Sequence, residues 1–154
     1  MGPLAHSRRL DAIEAFVADA VAKGATVETG GRRIGNKGYF FEPTVMTNVP
    51  RDARIMNEEP FGPVAPIVAF HDLAGAVESA NRLPFGLASY VFTRSLSTAR
   101  TAGEAIQAGM VGINDVMIMG SEMPFGGVKD SGYGSESGTE GVESFMHAKY
   151  IRES

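Results

Sequence analysis

Residues 64–81 read VAPIVAFHDLAGAVESAN, a short apolar run followed at once by a capped helix, and this stretch decides the fold class. Val64 to Phe70 is apolar on both alternating parities, the pattern of a strand buried on both faces, and Pro66 puts it near a strand start or an edge. Asp72 is a good N-cap for a helix carrying Leu73, Ala76, Val77 and Ala80. The alternation then continues: Leu87 to Phe92 reads as strand, Ser95 to Gly109 as helix, and Met110 to Asn114 as strand. Buried strand and short helix in turn argue for an α/β architecture with at least part of its sheet parallel.

Upstream, Ser7 can cap a helix whose apolar residues Leu10, Ile13, Phe16, Val17 and Val21 follow a 3.6-residue period, with Gly24 as its stop. A glycine-rich turn (Gly30, Gly31, Gly35, Gly38) leads to YFFEPTVMTNV, whose aromatic and β-branched residues favour strand. EEPFGPV follows, where two prolines flanking a glycine forbid regular structure. Downstream, Val142, Phe145 and Met146 mark a short helix and Ala148 to Ile151 a last strand. No internal repeat or linker is visible, so residues 1–154 read as one unit.

The chain has 154 residues, 44% of them hydrophobic. That length suffices for a domain burying roughly 70% of its unfolded surface. A mean hydropathy of -0.04 is that of an ordinary globular protein. No apolar run reaches the roughly 20 residues of a spanning helix, and MGPLAHSRRLDAIEAF has no apolar signal core, so a cytoplasmic location is the default expectation. The net charge of -4 is spread along the chain without a basic cluster, which argues against nucleic acid as a partner. His6, His71 and His147 lie far apart and there is no cysteine, so no metal-ligand spacing exists and no thiol chemistry can arise within this chain.

The run GGVKDSGYGSESG, Gly126 to Gly138, invites a phosphate reading. A dinucleotide fingerprint needs G-x-G-x-x-G, but after Gly132-Tyr133-Gly134 the next glycine, Gly138, comes one place late. A P-loop needs Gly-Lys-Ser/Thr, whereas Lys129 follows Val128 and precedes Asp130. Both tests fail, and Glu136 would repel an anion.

Four stretches together, MGPLAHSRRL at the start, GYFFEPTV at 38–45, NEEPFGPV at 57–64 and INDVMIMGSEMPFGGVKDSGYGSES at 113–137, resemble the C-terminal part of the catalytic domain of NAD(P)-dependent aldehyde dehydrogenases. The nearest branches are those assigned as succinate-semialdehyde dehydrogenases. The resemblance implies a fold built on a mixed, largely parallel sheet with flanking helices. It further implies that the chain matches roughly the last third of a family member. In the family reaction a cysteine thiolate attacks the aldehyde, hydride passes to the nicotinamide, and a glutamate activates water to release a carboxylic acid. The positions of that cysteine, that glutamate and the Rossmann domain lie upstream of the matched region. The resemblance therefore implies a chain that alone does not oxidise aldehydes and binds neither NAD nor NADP tightly. A non-catalytic binding or oligomerisation module derived from the same fold is the alternative.

The family's E-x-F-G-P motif maps onto Glu59, Phe61, Gly62 and Pro63. The resemblance implies that Glu59 accepts hydrogen bonds from the nicotinamide ribose hydroxyls and that the Phe61 ring packs near the nicotinamide; the bare residues equally describe a solvated acidic turn with a core Phe. Phe125 is implied to wall the aldehyde tunnel with the loop bearing Met117, Ile118, Met119 and Met123, though methionines also fill ordinary cores. Met119 stands where succinate-semialdehyde branches carry a carboxylate-holding serine, with Ser121 two residues away, so a more apolar aldehyde is as plausible a substrate as a dicarboxylic one. Ser135 replaces a frequent arginine, while Glu136 keeps the position of a proposed proton relay or, on the residues alone, of a helix-capping glutamate. Cut from its covering segments such a chain exposes apolar surface and open sheet edges, from which homo-oligomerisation is expected.

Overall fold

Helix α1 (Ser7–Ala22) forms where the 3.6-residue apolar period demands it and buries Leu10, Ile13, Phe16, Val17 and Ala20 on one face. Its N-cap is His6, one residue before the expected Ser7: the His6 Nδ1 accepts from the Arg9 amide at 3.2 Å. Val21, placed on the apolar face by the period, lies 47% exposed. Gly24 ends the helix as expected. At φ 106 it lets its own amide reach the Val21 carbonyl and the Ala25 amide reach the Ala20 carbonyl, the paired bonds of a Schellman terminus.

The computed structural model describes residues 1–154 and divides them into two compact units, Met1–Ala69 and Phe70–Ser154. In the first, α1 packs on a three-stranded sheet of order β1-β2-β3, with β1 (Thr26–Thr29) antiparallel to β2 (Thr44–Thr47) and β2 parallel to β3 (Val64–Pro66). Met46 on β2 and Ile55 in a 3₁₀ turn close a single core with the apolar face of α1. Thr44 is the buried polar residue of this core, and its hydroxyl is satisfied twice: it donates to the Glu42 carbonyl and accepts from the Gly31 amide, each at 2.8 Å.

The run that opened the reading forms less strand than its composition suggests. Only Val64–Pro66 pairs, and the last bond to β2 is from the Ile67 amide to the Met46 carbonyl. Ile67, Val68 and Phe70 then lie 53%, 41% and 67% exposed. The reason is position: β3 is an edge strand bonded on one side only, and beyond Ile67 the chain leaves the sheet. Likewise YFFEPTVMTNV pairs as strand only over Thr44–Thr47, with one isolated bridge from Phe41 to Arg33.

In the second unit Asp72 caps α2 (Leu73–Asn81), its Oδ1 accepting from the Gly75 amide at 2.8 Å, and Ser95 caps α3 (Leu96–Ala105) in the same way through Thr98. β4 (Phe85–Gly86) pairs antiparallel with β7 (Val128–Lys129), and β5 (Ala88–Val91) pairs parallel with β6 (Met110–Ile113) across the α3 crossover. The parallel pairing thus appears where strand-helix-strand alternation placed it. A short α4 (Gly138–Glu143) follows, but residues 148–151 form no strand. They find no partner, and Tyr150 and Ile151 are 86% and 75% exposed.

The end of α1 is tied by charge to the turn after β2. Asp19 accepts from the Arg54 amide at 2.7 Å and pairs with Lys23 at 3.3 Å, while the Arg54 guanidinium grips Glu58 at 2.7 and 3.0 Å and lies over the Phe16 ring. The Arg54 amide holds the Asp19 carboxyl below its ordinary 3.8, and the Arg54 side chain holds Glu58 below its ordinary 4.5. Groups with depressed folded-state values contribute stability above their unfolded values and lose it as pH falls through the folded ones. The Asp19→Asn/Glu58→Gln double variant is therefore expected to melt below the parent at neutral pH. The difference should shrink as pH falls through the ordinary carboxylate range and close below the depressed folded-state values; a difference that stays constant as pH is lowered in thermal melts would refute the assignment.

Candidate functional site

Glu59 and Phe61 sit on the turn between the 3₁₀ segment and β3. The turn is closed by the Phe61 amide on the Glu59 carbonyl at 3.1 Å and the Val64 amide on the Gly62 carbonyl at 2.9 Å, and it is pinned to β2 by the Thr44 amide on the Pro63 carbonyl at 2.8 Å. Gly62 is required here, because a Cβ would come within 2.5 Å of the buried Ile13 side chain. The two adjacent glutamates behave differently. Glu58 is held by Arg54, whereas the exposed Glu59 carboxylate makes no hydrogen bond or ion pair and stands free to accept. Phe61 is not a core residue: it is 69% exposed and lines an open depression with Leu4, Arg9, Phe41 and Pro63.

In the other unit the aldehyde-wall candidates converge. β6 is followed by Asn114, whose backbone turns left-handed (φ 55), a conformation asparagine tolerates better than most residues. Its side chain accepts from the Thr93 amide at 2.8 Å and donates to the Thr93 carbonyl at 2.9 Å, so the β5–β6 ladder is extended by a side chain. The loop that leaves it carries Met117, Met119 and Met123 at 70%, 65% and 48% exposure; these methionines fill no core. Phe125 and Glu136 exchange both backbone hydrogen bonds at 2.7 Å. Together with Met119, Gly120 and Ser137 they line a second open depression. Ser121 is outside that lining, and its carbonyl accepts from the Gly138 amide at 3.0 Å. Ser137 is held at φ 58, ψ 175, a region nearly reserved for glycine.

The glycine run is close-packed backbone. A Cβ on Gly126 would approach the Gly134 carbonyl oxygen at 2.6 Å, one on Gly127 the Ser131 Cβ at 2.7 Å, and one on Gly109 would collide with the Gly126 carbonyl. Lys129 donates to the carbonyls of Asn81 at 2.9 Å and Leu83 at 3.1 Å. These bonds were invisible in the sequence because they join a side chain to backbone atoms 48 and 46 residues away; a lysine with neither a phosphate motif nor an acidic neighbour at helical spacing was the available signal. No group of three His, Asp or Glu side chains gathers as a metal site.

Residues 1–151 match the family model described as "Aldehyde dehydrogenase family". The chain belongs to the aldehyde dehydrogenase family. It is 46% identical over 151 residues to 4-(hydroxymethyl)benzenesulfonate dehydrogenase TsaD1 of Comamonas testosteroni, covering 98% of this chain and 31% of that one. It is 44% identical over 151 residues to a probable NADP(+) succinate-semialdehyde dehydrogenase of Sinorhizobium fredii, with the same two coverages. Its structure matches an aldehyde dehydrogenase of Brucella melitensis biovar abortus with TM-score 0.94 and 42% identity, over 98% of this chain and 31% of that one. The α/β fold is thus that of aldehyde dehydrogenases, and the chain spans about a third of the length of these relatives. No helix is long and apolar enough to cross a membrane.

The close approach of Gly109 to Gly126 generates a direct test. Gly109 does not have a left-handed backbone, so Gly109→Ala adds steric conflict without conformational strain. It is expected to cost about 1–3 kcal/mol or more in denaturant unfolding. Unchanged stability would contradict this packing.

Proposed function

We propose that the chain supplies the cofactor-ribose contact and part of the aldehyde wall of an NAD(P)-dependent aldehyde dehydrogenase, an enzyme that oxidises an aldehyde to a carboxylic acid. One observation carries the reading: of two adjacent glutamates, Glu58 is consumed by Arg54 while Glu59 is left as a free acceptor beside an exposed aromatic ring. A free carboxylate can accept from both hydroxyls of a ribose cis-diol, and the Pro60-Phe61-Gly62-Pro63 turn fixes its direction. The residues present therefore fit a nicotinamide nucleotide, which when bound supplies the two-electron acceptor. Phe61 would pack against its ring.

Met119 and Phe125 would line the aldehyde's path, Ser121 would lie at its rim, and Glu136 would pass a proton toward solvent. An apolar or aromatic aldehyde suits this lining at least as well as a succinate-semialdehyde-like one, because the depression holds the acidic Glu136 and no cation. The nucleophile must come from elsewhere: the chain has no cysteine, and a serine at its free pKa is a weak substitute. On this reading the isolated chain is inactive, binds NAD or NADP weakly, and works in the cytoplasm.

Self-association belongs to the same proposal. Large apolar side chains, among them Phe70, Phe92, Leu96 and Phe145, lie 67%, 66%, 75% and 91% exposed, the kind of surface that association covers.

Two measurements test the reading. Purified free of host dehydrogenase, the 154-residue chain is expected to show no NAD(P)-dependent aldehyde oxidation, and fused behind the cysteine-bearing segment of a family member it is expected to support that reaction. Activity of the isolated chain, or a folded but inactive fusion, would overturn the proposal, the latter in favour of a non-catalytic module. Light scattering is expected to show a mass rising with concentration, and a monomer throughout would remove the oligomer from it.

A further inference from the structure

We infer that Lys129 is a positioning residue, an ammonium latch that fixes the glycine run, and with it the Phe125–Glu136 wall, to the C-terminus of α2. Its functional meaning rests on the wall reading above; its test does not. The last carbonyls of a helix have no partner within the helix and carry partial negative charge. At the end of α2 the Lys129 Nζ takes the carbonyls of Asn81 and Leu83. None of the ion pairs of the chain involves Lys129, so its charge is directed to these carbonyls. Its backbone is left-handed, at φ 56, an uncommon conformation for a lysine and one sustained only where surroundings over-determine it.

The corner it grips is itself rigid. Asn81 donates through Nδ2 to the Ala105 carbonyl and accepts through Oδ1 from the Gln107 amide, both at 2.8 Å, so the ends of α2 and α3 are joined. Two neighbours of Lys129 reinforce the attachment: the Asp130 amide donates to the Pro84 carbonyl, and the Ser131 hydroxyl accepts from the Gly86 amide, each at 2.9 Å. Between the latch and Phe125 lie Val128, Gly127 and Gly126. Both glycines are in contact too close to admit a Cβ, so the segment has no lateral slack and a displacement at Lys129 reaches Phe125 and its partner Glu136.

The absence of cysteine makes a clean experiment available. Lys129→Cys can be alkylated in denaturant at its single thiol and refolded: 2-bromoethylamine, whose bromide leaves as the C–S bond forms, restores an ammonium at nearly lysine length, and iodoacetamide leaves a neutral group. The readout is amide hydrogen exchange at Phe125 and Glu136, which bond each other, against Asn114, which bonds Val91, and Ala25, which bonds Ala20. The neutral form is expected to exchange on the order of tenfold faster or more at Phe125 and Glu136, the range of a lost charged hydrogen bond, with Asn114 and Ala25 little changed, and the aminoethyl form is expected to restore protection. An equal change at all four amides, no change at any, or no rescue by the ammonium would overturn the latch. Should the alkylated forms not refold, Lys129→Met and Lys129→Arg are read the same way, with protection kept by arginine and lost with methionine. Failure of the fusion enzyme to oxidise aldehydes would leave these exchange results standing, so the two proposals fail separately.

Discussion

The second half of the structure depends on a close approach of backbone to backbone. Where Gly109 meets Gly126, and Gly127 meets the Ser131 turn, no side chain fits between the strands of main chain. Glycine is the only residue that permits this distance, and its conformational freedom is removed here by packing on both sides. Everything attributed to the aldehyde wall follows from it: the position of Phe125, its paired bonds with Glu136, and the depression they share with Met119. A run that looks like a loop built to wrap a ligand is instead a loop built to wrap itself.

The first half is organised differently. Its core is conventional, with α1 over Met46 and Ile55, and one arginine ties the end of that helix to the turn after β2. Arg54 caps Asp19 through its amide, stacks on Phe16 and takes Glu58 in a two-pronged grip. The consequence for function is indirect but specific. By consuming one of two neighbouring carboxylates it leaves the other, Glu59, as the free acceptor, and the turn beyond it is held by Gly62 against Ile13.

Local signals were legible where the physics is local. Asp72 and Gly24 announced their helix ends because a cap is a matter of three or four residues, and the parallel pair β5–β6 followed from the helix between them. The signals failed where a neighbour decides. Apolar composition at Ile67–Phe70 describes a strand that would be buried if something lay over it, whereas β3 is a sheet edge and Ile67, Val68 and Phe70 lie exposed. His6 displaced Ser7 as a cap because an imidazole nitrogen serves as acceptor in place of a hydroxyl. The family was readable from four spaced motifs, while the ties of Asn114 to Thr93 and of Lys129 to the end of α2 are long-range and involve backbone atoms, which leave no mark on composition.

The central claim is that nucleotide contact in this chain belongs to the Glu59–Phe61 turn and not to the glycine run. Titrating NAD into the isotopically labelled chain and following its amide resonances tests this most directly. Weak, unsaturated shifts confined to the amides of Glu59, Phe61 and Gly62 are the expected result; shifts centred on residues 126–138 would contradict the account and return the glycine run to the role of a phosphate cradle.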